Sequence, residues 1–246
     1  MPLRYPVFLP ILGGLFGLLF LALAWDPVSR STWALENSLT VALLVCLALT
    51  HRALPLSRLS YALIFFFLAL HAIGAHYTYS LVPYDAAWRA LFGTSLDQSL
   101  GFERNHYDRV VHFCYGLCFA YPIRELFLRV AAVRGIWGYL LPLDVAMSTS
   151  MIYELVEWGA AAFFGGDLGQ SYLGTQGDEW DAQKDMALAT LGAVVTIAIT
   201  FAVNAVLRRD FARELAESVR VKDPEPLGEE AIEGLLDGRA DPRRGG

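Results

Sequence analysis

Apolar residues along this chain fall in long blocks separated by short polar segments, not in the alternation of a half-buried strand. Six blocks, at 7–25, 34–50, 60–78, 107–128, 137–163 and 186–207, are each near the length a helix needs to cross a hydrocarbon core. At 1.5 Å per residue, a core of about 30 Å takes roughly 20 residues. The pattern predicts an all-α polytopic membrane protein with six transmembrane helices in one bundle over residues 1–207. Residues 208–246 hold eight Lys/Arg and ten Asp/Glu and read as a charged, largely flexible tail. Within it Phe211, Leu215 and Val219 recur at i, i+4 and i+8, the spacing of a short surface helix over 208–221.

The first block ends in Ala22-Leu23-Ala24, which imitates a signal-peptidase site. Its apolar run exceeds the 7–15 residues of a signal sequence, so residues 1–24 are expected to stay as a helix. Basic residues set the orientation, because Lys and Arg near span ends are retained in the cytoplasm. With the N-terminus inside, nine fall on the inner side, from Arg4 to Arg213, and five on the outer side. Both termini are therefore expected in the cytoplasm.

Composition agrees with this class. Hydrophobic residues make up 55%, charged residues 18%, and mean hydropathy is +0.42. A net charge of −6 and a pI near 5.4 argue against a nucleic-acid partner. Cys46, Cys114 and Cys118 lie in apolar runs, with neither CxxC spacing nor a disulfide framework. HExxH and GxSxG are absent. Tyr107-Asp108 with Gln176-Gly177-Asp178 misses the GxGD signature of intramembrane aspartyl proteases, since Thr175 stands where its first glycine belongs.

Ionisable residues inside spans are costly and need a partner or a purpose. With this topology His71 and His76 lie towards the outer end of span 3, and Asp108 and His112 in the first turns of span 4. Glu154 and Glu157 lie in the outer half of span 5, and Asp178, Asp181 and Asp185 at the mouth of span 6. His71, His112 and Glu154 then all sit about 10 Å below the outer boundary. Spacing reinforces depth: Asp108 and His112 are i, i+4 with Tyr115 on the same face, Glu154 and Glu157 are i, i+3, and Asp181 and Asp185 are i, i+4.

Such a layer suits a divalent cation, with oxygen-rich ligation favouring Mn, Fe or Zn. His112, Glu154, Glu157, Asp181 and Asp185 are the expected ligands. Asp108 is the expected general base or an orienter of ligands, with His71, Asp178 and Tyr115 as further candidates. The same acids can also cap helices, and Arg109 can neutralise one of them. Asp144, deeper in span 5, suits helix packing or a link to Arg134. Between spans 5 and 6, GGDLGQSYLGTQGDEWDAQKD combines turn-forming glycines, the interfacial aromatics Tyr172 and Trp180, and acids delivered to a helix mouth.

YDRVVHFCYG, YELVEW and above all SYLGTQGDEWDAQKDMALATLGA resemble a bacterial family of inner-membrane proteins of unknown function, the YjdF type. The likeness covers most of residues 35–207 and implies a small polytopic inner-membrane protein without an assigned reaction. More loosely, Asp108, His112, Tyr115, Glu154, Asp185 and Gly192 are similar to the polar pattern of VanZ-like envelope proteins. The chain departs from that pattern after Glu154, where it has Glu157-Trp158 and an acidic loop.

Three functions fit these residues. One is a metal-dependent enzyme acting on an envelope or lipid-linked substrate. Another is a carrier or channel for a cation or small solute, with the same acids as a permeation site, and the third a non-catalytic envelope factor whose acids lock the bundle.

Overall fold

A computed structural model describes residues 5–166, 175–208 and 211–222 of the chain. Among them are nine helices and no strand: α1 (Tyr5–Ala24), α2 (Arg30–Thr50), α3 (Arg58–His76), α4 (Tyr84–Phe92), α5 (Leu96–Leu100), α6 (Tyr107–Arg129), α7 (Trp137–Phe164), α8 (Asp181–Leu207) and α9 (Phe211–Ser218). The protein is all-α. Four of these helices, α1, α2, α3 and α8, are long and apolar enough to cross a membrane. The other two long ones, α6 and α7, have 23 and 28 residues and carry Asp108, His112, Glu154 and Glu157.

Each sequence block lies on one long helix, with ends displaced for local reasons. The start of α2 moves back to Arg30 because Ser29 adopts an extended conformation and its Oγ accepts the amide of Thr32 at 3.3 Å, a side-chain cap. The start of α8 moves back to Asp181, so Asp181 and Asp185 lie on the helix rather than ahead of it. No helix was expected between the third and fourth blocks, yet α4 and α5 form there. Asp85 joins them: it accepts hydrogen bonds from Ser95 Oγ at 2.9 Å and from the Asp97 amide at 3.1 Å. The short helix expected after residue 208 is present as α9. Its Phe211 is buried, and Ser218 Oγ accepts the Ile136 amide at 3.0 Å.

The centre of the bundle is the pair α6 and α8, which share the most extensive interface. Two glycines explain how closely they approach. A Cβ on Gly116 would stand 1.8 Å from the carbonyl oxygen of Ala189, and one on Gly192 would stand 2.0 Å from that of Phe113. No larger residue fits without pushing the helices apart. Small residues let helices meet closely where lipid supplies no hydrophobic drive, and buried Ala120, Ala146 and Ala193 continue that contact to α7.

On the other side α6 packs against α3, which carries α1 and α2. There Phe16, Tyr61, Ile64 and Leu68 form an apolar core. At the end opposite the acids, Glu125 of α6 accepts the Ser57 amide at 2.8 Å and Ser60 Oγ at 2.6 Å, so its negative charge meets the positive N-terminus of α3. Asp144 is exposed on α7 and serves no packing inside the bundle. All three cysteines are free, with Cys114 and Cys118 buried.

Candidate functional site

Five helix ends meet at one end of the bundle: the starts of α2, α6 and α8 and the last turns of α3 and α7. Because α6 and α8 run side by side through Gly116 and Gly192, the first turns of each face one another. One ligand atom from each of Asp108, His112 and Asp185 lies within 4.8 Å of the other two. His112 Nε2 is 3.5 Å from Asp108 Oδ1 and also 3.5 Å from Glu154 Oε1 on α7. His112, Glu154 and Asp185 are buried. Glu154 Oε1 and Asp185 Oδ1 are buried with no hydrogen-bond partner among the described residues. Orphaned buried carboxylate oxygens are rare and ask for an explanation.

Glu157 is buried one turn on from Glu154, beside Glu36 and Tyr153. Glu36 belongs to the same layer and was not among the expected residues. The Tyr153 hydroxyl donates to Glu36 Oε2 at 3.1 Å, tying α7 to the start of α2. His71 Nε2 donates to the Glu36 carbonyl at 3.2 Å, while Tyr79 donates its hydroxyl proton to His71 Nδ1. His71 is thus held by α2 on one side and by the segment after α3 on the other. Glu36 was legible in one respect: it is an acid near one end of a span, at the level where the other ionisable residues gather.

Asp181 and Asp178 are held by cationic side chains. Arg104 Nη1 is 2.8 Å from Asp181 Oδ1, Arg109 pairs closely with Asp178, and Lys184 Nζ is 2.6 Å from Asp178 Oδ2. Arg104 also donates to the Thr175 carbonyl at 2.8 Å, and Gln176 and Asn105 exchange two hydrogen bonds of 3.0 and 3.1 Å. These contacts clasp the entry to α6 against the entry to α8. Arg109 neutralises acids, one of the roles its position allowed. Lys184 and the Trp180 amide hold the Asp178 carboxyl down at about 2, below its ordinary value. Tyr115 exchanges a hydrogen bond of 2.5 Å with Thr149 Oγ1, linking α6 to α7. Gly169, Ser171, Tyr172 and Gly174 of the connecting loop lie outside the described residues.

The charges do not balance within the layer. Glu36, Asp108, Glu154, Glu157 and Asp185 supply five carboxylates, and the nearby guanidinium groups of Arg104 and Arg109 are paired with Asp178 and Asp181. Carboxylates brought together in a low-dielectric interior either bind protons or bind a cation. Two carboxylates and an imidazole at this spacing form an O,O,N donor set, which suits a borderline or hard divalent ion.

Fold and site together define a polytopic all-α membrane protein with a buried carboxylate–imidazole centre near one end of its bundle. Residues 8–205 match the family model described as "Predicted membrane protein (DUF2238)", and the chain belongs to that family. It is 39% identical to the inner membrane protein YjdF of Escherichia coli (strain K12) over 170 residues, covering 68% of this chain and 77% of that protein. No solved structure matches the chain.

Proposed function

We propose that this protein is a membrane-embedded enzyme that uses one divalent metal ion to act on an envelope or lipid-linked substrate, with its site towards the periplasmic side. The observation that carries the reading is the Asp108–His112–Asp185 cluster, whose donor atoms lie within 4.8 Å of one another, with Asp185 Oδ1 and the neighbouring Glu154 Oε1 buried and without a hydrogen bond among the described residues. In this reading Asp108, His112 and Asp185 hold the ion. Asp108 thereby moves from expected base to ligand because it lies with the other two. Glu154, which reaches His112 at 3.5 Å, is the group that accepts or returns a proton. A divalent ion held there would polarise substrate oxygens and activate water for hydrolysis of an ester-type bond, with Glu154 taking a proton from the water and passing it to the leaving oxygen. Asp181 acts through the clasp by fixing α8, and hence Asp185, against α6.

The polar residues favour a one-sided centre over a permeation path. The acids of the layer gather at one end of the bundle, whereas in the other half Asp144 is exposed on α7 and Glu125 is taken up by the N-terminus of α3 and by Arg129. The test is metal content and thermal unfolding of purified protein after chelator treatment. Saturable stabilisation by Mn, Zn, Mg or Ca, reduced in Glu154→Gln and lost in His112→Ala, is the expected result. Stabilisation by none of these ions in the wild type overturns the proposal.

A further inference from the structure

A cavity of about 300 Å³ begins at this centre and runs along α6 between α2, α3 and α7. Its polar end holds Asp108, His112, His71 and Tyr79. Further along, its wall is Val111, Tyr115 and Phe119 of α6 with Leu43 of α2 and Phe67 of α3. Asp108 to Phe119 is eleven residues of helix, or about 16 Å at 1.5 Å per residue. That is half of a hydrocarbon core about 30 Å thick, the depth of one leaflet. The polar end lies in the first turn of α6 and the apolar end near its middle.

The cavity opens sideways. Towards the site end α2 and α7 are joined by Tyr153 and Glu36, but among the described residues they form no extended seam. The lip of the opening is Leu39 on α2 with Ile152 and Val156 on α7, which are 49%, 53% and 46% exposed. In a bilayer these side chains face acyl chains rather than water. A water-soluble substrate would have to cross this apolar lip, whereas a lipid already lies against it.

We propose that the cavity receives one hydrocarbon chain of a membrane lipid from the leaflet on the site side. The chain enters between α2 and α7 and lies along α6, which sets the lipid's polar head against the Asp108–His112–Asp185 centre. Placement of the chain rests on the cavity alone. Contact of the head with a metal ion rests on the function proposed above, and an anionic head needs that ion because the surrounding side chains are acids.

The test reconstitutes the full chain in phosphatidylethanolamine vesicles containing a phosphatidylglycerol with a diazirine at the middle of one acyl chain. After irradiation, labelled residues are mapped by mass spectrometry. Bulk lipid labels outward residues such as Leu155 and Trp158, which are 55% and 66% exposed. A chain in the cavity also labels Val111, Tyr115 and Leu43. Leu43→Trp, which fills the cavity, and Val156→Trp, which obstructs its mouth from an exposed position, should each lower interior labelling at least fivefold and leave outward labelling unchanged. Label confined to outward residues, or interior label untouched by both variants, overturns the proposal. Manganese stabilisation measured on the same preparation separates the two readings: interior label without it keeps the chain site and removes the metal, while stabilisation without interior label does the reverse.

Discussion

Under the proposed function, Asp185 is at once a buried acid among other acids and a metal ligand. Among the described residues its Oδ1 is buried without a hydrogen-bond partner, and it lies close to Asp108 and His112. Removing one uncompensated buried charge relieves repulsion, while removing a ligand destroys a cation site. In chelator-treated protein, Asp185→Asn should therefore unfold no earlier than wild type, yet gain no stability from manganese. The midpoint difference with and without the ion is the measurement, and an unstable variant that still responds to manganese would assign Asp185 to structure. Because protons compete for the same ligands, the manganese gain should also shrink on acidification.

Asp178 provides a separate pH test. Its carboxyl titrates at about 2 in the folded protein and near 3.9 when unfolded. A depressed folded value means the contribution is complete above about pH 4 and is lost as pH falls towards about 2. The midpoint gap between wild type and Asp178→Asn should be constant at neutral pH and close over that interval. A gap independent of pH would mean that the clasp does not depend on the charge of Asp178.

Helix contacts, not propensities, bring Asp108, His112 and Asp185 together. Asp108 and His112 belong to α6 and Asp185 to α8, so the cluster exists only while these helices remain at their close separation. Gly116→Ala puts a methyl group 1.8 Å from a backbone carbonyl oxygen, and overpacking of this kind costs roughly 1–3 kcal/mol. It should lower the unfolding midpoint and weaken manganese stabilisation together. Gly17→Ala, with open space around its Cβ position on α1, should change neither. Wild-type manganese affinity in a destabilised Gly116→Ala would show that helix spacing and the centre are independent.

At the scale of the molecule, the arginine distribution predicts which end faces the periplasm. In a Cys46→Ser background, an impermeant thiol reagent added to sealed cells should label Gln98→Cys, in the exposed segment near the site, and miss Arg220→Cys beyond α9. Labelling at Arg220 with none at Gln98 would invert the bundle and place the centre on the cytoplasmic side.

The long helices were legible from the sequence because membrane-spanning length is set by bilayer thickness and written in uninterrupted apolar runs. The layer of acids and imidazoles was legible as well, since i, i+3 and i, i+4 spacing and depth along a span are local properties. What the chain alone did not decide was partnership. Asp181 and Asp185 lie on one helix face one turn apart, yet Arg104 claims the first and leaves the second beside His112. Glu36 joins the layer only because α2 returns to the same end of the bundle, and the α4–α5 pair depends on an Asp85 side chain reaching ten residues ahead. A cavity one leaflet deep has no sequence signature, because it is the space left where α2 and α7 meet at one end and separate below. Spans and depth follow from the solvent each residue must face, whereas ligand, ion pair and cavity depend on which helices stand beside each other and how closely.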